Sequence, residues 1–280
     1  FDGSIGGYQE RNGDALTKLW IYPTMRRGGR GVYAFDVTNK PGTTENPLGL
    51  IPITTPAQPR LMWRYNESVN AAMGESWSTP TVIRVKGISK PLVVFGAGYD
   101  KCEDEESLTA CDGISRGKGI VVMDAERGPG SPDAATLNRF FSPTDGLDSS
   151  AGRFVADIAT LDVNRDGFVD VLYAVDTRGN VWRINAADPT TNESYKASGT
   201  GSVSAWKINK IATVGQWGTG SEATEHRKFM YAPSVVTLGN QAIVLVGTGD
   251  REKPTDGSQA ALVNNRFYGF RDNVNITTGI

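Results

Sequence analysis

Histidine and cysteine are scarce in this 280-residue chain, which contains one histidine and two cysteines. The single histidine, His226, leaves too little material for a histidine-based catalytic triad. Two cysteines and a histidine remote from them in sequence also fall short of the four ligands of a structural zinc site. An apolar run of membrane-spanning length is missing as well. These absences argue against triad chemistry, structural zinc and a transmembrane helix.

A large excess of charge of either sign is also missing, because 29 basic residues stand against 31 acidic ones. Nucleic-acid-binding domains usually show a clustered basic face, so we expect no nucleic-acid partner. The length suffices for a large all-β domain with a proper core. The chain begins and ends abruptly and shows no secretory signal. We therefore expect residues 1–280 to be one domain of a longer protein, or a fragment of such a domain.

The most informative segment runs from Asp162 to Asp170, where oxygen-bearing residues recur at every second position around a glycine. Ca²⁺ takes six to eight oxygen ligands, and loops with this spacing present carboxylate, amide and main-chain oxygens to one ion. Gly167 stands where such a loop must turn sharply. The predicted calcium ligands are the side chains of Asp162, Asn164, Asp166 and Asp170 and the main-chain carbonyl of Phe168.

This loop differs from the helix–loop–helix calcium motif. Position twelve, where that motif has a bidentate glutamate, is Tyr173. The flanking segments 158–161 and 169–175 are short, apolar and β-branched, which predicts strands on both sides. With at most five protein oxygens, we expect water to complete the shell and the affinity to be roughly micromolar to millimolar. The alternative is a metal-free turn, which Asp and Asn favour by bonding their own backbone.

Cys102 and Cys111 lie close together in an acidic segment without periodicity. We interpret them as a disulfide that closes this short loop and contributes about 2–3 kcal/mol at most. A disulfide indicates an oxidising compartment, either the periplasm or the cell exterior.

A repeated order of strands runs through the chain. Alternating apolar strands begin near Gly31, Gly119, Gly179 and Asn265. Before three of these four strands, the chain has two further predicted strands, of which the second is the more continuously apolar. An outer strand follows most of these units. Four antiparallel strands per unit predict the blade of a β-propeller. A β-sandwich with irregular hairpins would explain the strands but not their repeated order.

The segment 174–182 resembles a shortened form of the tryptophan-docking motif of quinoprotein-type propellers, in which Ala, Gly and Trp lock one blade onto the next. We therefore interpret Trp182 as a packing residue rather than as a platform for a ligand.

Taken together, several segments resemble the C-terminal propeller of the PilY/PilC family of type IV pilus biogenesis factors. The similarity extends from about Gly28 to Asp272, and the segments occur in the same order. It implies that the five predicted oxygen ligands form the calcium site of that family. The segments are 28–38, 78–81, 95–99, the loop 162–170 with Gly179-Asn180-Val181-Trp182-Arg183 after it, and 246–249.

The resemblance also implies an extracytoplasmic protein of the periplasm, the outer-membrane surface or the pilus tip. Calcium occupancy would set whether pili extend or retract, and the domain would support twitching motility and surface attachment as an adhesin. Minor pilins, the pilus tip or host surface ligands would be its partners. Integrin binding through Arg-Gly-Asp is unsupported, because that tripeptide does not occur.

Two other functions stay open. A quinone-dependent dehydrogenase would share the propeller, but such enzymes often carry a vicinal disulfide, and the two cysteines here are not adjacent. An integrin-like or lectin-like propeller, binding protein or glycan ligands, usually bears several loops of this kind, whereas this sequence contains one. We therefore predict a domain that is not an enzyme.

Overall fold

The computed structural model describes residues 1–38, 59–103, 115–216, 225–239, 241–252 and 262–274. Strands dominate these ranges and form two small hairpins and four larger antiparallel sheets that follow one another along the chain. The α-helix α1 is the single turn Ala134–Leu137. The predicted all-β class is therefore confirmed, and we refer to the four sheets as blades 1 to 4.

Blades 1 and 2 each contain four strands in sequential order. The strands of blade 1 are β1 (Ile5–Asn12), β2 (Ala15–Pro23), β3 (Gly31–Asp36) and β4 (Arg60–Asn66). The strands of blade 2 are β5 (Thr81–Ile83), β6 (Leu92–Gly96), β7 (Ile120–Asp124) and β8 (Arg139–Phe141).

Blade 3 also has four strands, and two small hairpins precede its outer strand. Its first three strands are β9 (Ala159–Leu161), β10 (Val171–Val175) and β11 (Asn180–Asn185). The hairpins pair β12 (Ala187–Asp188) with β13 (Glu193–Ser194), and β14 (Lys196–Ala197) with β15 (Thr200–Gly201), before the outer strand β16 (Lys207–Thr213). Blade 4 has three strands in the described ranges, β17 (Ser234–Leu238), β18 (Gln241–Gly247) and β19 (Phe267–Asn273).

The blades pack face to face, and the second strands of blades 2 and 3 are buried on both sides. Strand β6 is buried along its whole length. Its side chains alternate, so that Leu92 and Val94 join the core shared with blade 3, whereas Val93 and Phe95 join the core shared with blade 1. Strand β10 alternates in the same way between the cores shared with blades 2 and 4. Every consecutive pair of blades therefore shares one apolar core.

The first strands of blades 2, 3 and 4 start near a common centre. Trp77, Val155 and Met230 lie shortly before these three strands, and together with Tyr99 they form a separate buried cluster. Residues that are far apart in sequence meet there because each occupies the corresponding place in its blade. This convergence is the arrangement expected of sheets placed around an axis.

Trp182 packs between blades 2 and 3, which confirms its interpretation as a packing residue. Its side chain is almost fully buried, and its ring centroid lies 6.3 Å from that of Phe154. The indole Nε1 donates to the carboxylate of Asp176 at 2.8 Å. Asp176 is itself fully buried, and it also accepts bonds from the Gly152 main-chain N–H and the Asn180 amide. Burial raises the pKa of Asp176, while these donors oppose the rise.

Two features of the fold differ from the sequence-based expectation. Strands β1 and β2 were not predicted, because their alternation is weak and much of their surface is exposed. The outer strand of blade 3 begins at Lys207 rather than near Ala205. The residues before it form a short 3₁₀ turn in which the Ser202 side chain accepts from the Ser204 N–H.

Replacing Asp176 with alanine should destabilise the folded chain by about 2–4 kcal/mol, because several buried donors would lose their acceptor at once. The free energy of unfolding can be measured by urea titration. Asp188→Ala is the matched control, since the Asp188 carboxylate accepts from the Thr190 N–H at an exposed turn, and the substitution should cost less than about 1 kcal/mol. Equal losses in the two variants would contradict a central role for Asp176.

Candidate metal centre

The loop Asp162–Asp170 connects the first two strands of blade 3. The Asp170 N–H donates to the Leu161 carbonyl at 3.0 Å and closes the base of the loop, just before Val171 pairs with Leu161. Two residues have left-handed backbone conformations, Arg165 with φ of 62° and Gly167 with φ of 89°. A side chain at position 167 would meet no neighbouring atom, so conformation rather than space favours glycine there.

Apolar residues anchor both ends of this loop. Val163 is buried in the core between blades 3 and 4, and Val169 packs against the core between blades 2 and 3. The Val169 N–H also donates to the Arg84 carbonyl of blade 2 at 2.8 Å. The oxygen-bearing side chains therefore belong to a segment that contacts both neighbouring blades.

All four predicted side-chain ligands accept hydrogen bonds from the backbone of the loop itself. The Asp162 carboxylate accepts from the N–H groups of Asp166 at 3.1 Å and Gly167 at 2.7 Å. The Asn164 side-chain oxygen accepts from the Asp166 N–H at 3.0 Å, and Asp166 accepts from the Phe168 N–H at 3.1 Å. These bonds hold the turn in shape and direct the side-chain oxygens toward its interior.

Asp170 is the buried member of the set, with 1% of its surface exposed. Its carboxylate accepts from the Val163 N–H at 2.8 Å. Burial raises the pKa of Asp170 to about 6, and the nearby charges of Asp162 and Asp166 add to the rise. A carboxylate that is removed from water beside two others is poorly compensated by the protein alone.

Two side chains from outside the loop reach Asp166. Lys86, in the turn after β5 of blade 2, lies with its Nζ 3.1 Å from the Asp166 carboxylate. Asn192, in the turn between β12 and β13, donates from its Nδ2 to the same carboxylate oxygen at 3.3 Å. Burial by itself would raise the pKa of Asp166, but the bonds from Lys86 and Phe168 hold that pKa below its ordinary value. Sequence reasoning missed both neighbours, since neither lies near the loop in the chain.

The donor set suits a hard cation, because it consists of oxygen atoms only. Within the described ranges, however, no three His, Cys, Asp or Glu side chains are gathered into a metal-holding group. Asp162, Asp166 and Asp170 instead point to different donors: loop N–H groups, Lys86 and the Val163 N–H. The five ligands named from the sequence, including the Phe168 carbonyl, therefore stay a prediction.

The predicted disulfide also stays a prediction. Cys102 is buried in the short 3₁₀ turn Lys101–Glu103, where its N–H donates to Asp100 at 3.2 Å. Cys111 lies outside the described residues.

No helix in the described part of the chain is both long and apolar enough to cross a membrane.

Comparison with known proteins identifies the family. The model of the PilY1 beta-propeller domain matches residues 7–278 of the chain. The chain belongs to this family. The resemblance inferred from the motifs is thereby confirmed, and so is the propeller fold.

The curated PilY1 relatives are much longer than this chain. The chain is 26% identical over 263 residues to the type IV pilus biogenesis factor PilY1 of Pseudomonas aeruginosa strain UCBPP-PA14, a match that covers 89% of this chain but 19% of that protein. A PilY1 homolog from Xylella fastidiosa is 26% identical over 160 residues, covering 56% of this chain and 9% of that protein. The chain therefore spans about a fifth of the length of the first relative.

A solved structure supports the same fold. The crystal structure of the Pseudomonas aeruginosa PilY1 C-terminal domain superposes with a TM-score of 0.66 at 22% sequence identity. The superposition covers 99% of this chain and 49% of that one.

The effect of calcium on thermal stability should depend on pH through Asp170. The pKa of Asp170 is about 6 in the folded chain, above the value of about 3.9 expected for Asp in the unfolded chain. Without calcium, ionisation of Asp170 therefore lowers the free energy of unfolding as the pH rises from about 4 to about 6. Calcium requires the charged carboxylate. We expect a small calcium-induced rise in melting temperature near pH 5 and a larger one near pH 7.5, measured by scanning calorimetry with calcium or chelator. A rise of equal size at both pH values would contradict participation of Asp170.

Proposed function

We propose that this PilY1-family propeller is a non-enzymatic, calcium-binding regulatory and adhesive domain of a type IV pilus biogenesis factor. In this proposal, calcium occupancy controls pilus extension against retraction and so supports twitching motility and surface attachment. The domain acts outside the cytoplasm and contacts minor pilins or the pilus tip. Family membership supports the pilus assignment, because the matched relatives are named type IV pilus biogenesis factors.

The buried carboxylate of Asp170 is the observation that carries the calcium assignment. It shares one short loop with two other acidic side chains, and its pKa is raised by burial and by their charges. The side chains of Asp162, Asn164, Asp166 and Asp170 and the Phe168 carbonyl would hold the ion. Bound calcium would supply two positive charges to this cluster.

The position of the loop gives a route from ion binding to a partner surface. Val163 and Val169 place its ends in the cores on either side of blade 3, and Lys86 of blade 2 contacts its tip. A change in the orientation of Asp166 therefore alters a contact between two blades. This arrangement couples the loop to the packing of its neighbours without moving a whole domain.

The variant Asp170→Asn tests this proposal. The asparagine keeps the size of the side chain and an oxygen for the Val163 N–H, but it removes the charge needed by the ion. We expect isothermal titration to show calcium binding by the wild-type chain and at least about tenfold weaker binding by the variant. In the full-length protein, the same substitution should impair twitching motility and surface attachment.

The control is Asp188→Asn, which removes one carboxylate from an exposed turn of the same blade. It should leave both calcium affinity and twitching unchanged. Failure of the wild-type chain to bind calcium would refute the metal assignment. Normal twitching of an Asp170→Asn strain whose protein no longer binds calcium would refute the regulatory part alone.

A further inference from the structure

Asn192 holds an unusual position beside the calcium loop. It lies in the turn between β12 and β13, and its N–H donates to the Asp188 carbonyl at 2.8 Å. Its backbone is left-handed, with φ of 54°, which is uncommon for residues other than glycine and is tolerated best by Asn and Asp. The turn is tied to blade 2, because the Ser194 N–H donates to the Lys86 carbonyl at 2.6 Å.

Only the nitrogen of the Asn192 side-chain amide makes a hydrogen bond among the described residues. Its Nδ2 donates to the Asp166 carboxylate at 3.3 Å, whereas its Oδ1 is buried and has no hydrogen-bond partner among the described residues. A buried acceptor without a donor costs free energy, so such atoms call for an explanation. This oxygen belongs to the amide group whose nitrogen contacts Asp166, one of the predicted ligands.

The nine-residue loop offers five protein oxygens, whereas calcium takes six to eight. We propose that the side-chain oxygen of Asn192 is a further calcium ligand, supplied by a hairpin outside the loop. This inference rests on the proposed calcium site and extends it. An amide oxygen adds a ligand without adding a fourth negative charge, which suits a position beside three carboxylates.

Two substitutions at Asn192 separate its oxygen from its backbone conformation. Asn192→Gly accepts the left-handed backbone but lacks the oxygen, so we expect calcium affinity to fall by about tenfold in isothermal titration. Asn192→Asp keeps an oxygen at the same place, and its affinity should equal or exceed that of the wild type.

Ser198→Gly is the matched control. Ser198 is an exposed hairpin residue of blade 3 that, like Asn192, has a left-handed backbone, with φ of 52°, and its replacement should leave calcium affinity unchanged. Wild-type affinity in Asn192→Gly would overturn the inference while leaving the calcium site intact. Absence of calcium binding by the wild-type chain would instead refute the site itself and this inference with it.

The ion pair between Lys86 and Asp166 carries a second inference. The Lys86 side chain is 43% exposed, and its ammonium group lies 3.1 Å from a carboxylate that calcium would need. We infer that Lys86 competes with calcium for Asp166 and so lowers the affinity of the site. On calcium binding, Asp166 of blade 3 would then lose its ion pair with Lys86 of blade 2 and coordinate the ion instead.

Removing this competitor should strengthen calcium binding. We expect Lys86→Gln to raise calcium affinity by about three- to tenfold, because one positive charge leaves the immediate surroundings of the ion. Lys196→Gln is the control, since Lys196 has similar exposure and pairs with Glu193 at 3.0 Å instead; its affinity should change by less than about twofold. Unchanged or weaker calcium binding by Lys86→Gln would overturn the inference.

Discussion

The rest of the structure depends on β6 and β10, the second strands of blades 2 and 3, which are apolar on both faces. Neither strand can expose either side to water, so blades 2 and 3 must each be covered by a neighbour on both faces. Alternation of side chains then divides each strand between two cores. This stacking also locates the candidate metal loop, because the loop joins β9 to β10 and its apolar residues enter the cores on either side.

Stacking of the blades brings side chains from other parts of the chain into contact with the loop. Lys86 and Asn192 meet at Asp166 only because blade 2 and the β12–β13 hairpin lie against the same end of blade 3. A single carboxylate thus contacts a cation and an amide from separate parts of the chain. The affinity of such a site depends on these neighbours as well as on its own ligands.

Much of the architecture was predictable from the sequence, because it follows from local chemistry. Fully buried strands appear as apolar runs, and the order of strands recurs from blade to blade, which pointed to a propeller. Trp182 was correctly interpreted as a packing residue. Strands β1 and β2 were missed because many of their side chains are exposed and give no strong period. The 3₁₀ turn before Lys207 was missed because it depends on one capping serine.

The sequence by itself determined the spacing of oxygen donors from Asp162 to Asp170, the sharp turn at Gly167 and the alternation of the buried strands. These are properties of consecutive residues, so their chemistry is visible in the order of the amino acids. Only the tertiary structure decided that Asp170 is buried, that Lys86 pairs with Asp166 and that the Asn192 amide donates to the same carboxylate. Such contacts join segments that are distant in the chain, and they arise from the way whole blades pack.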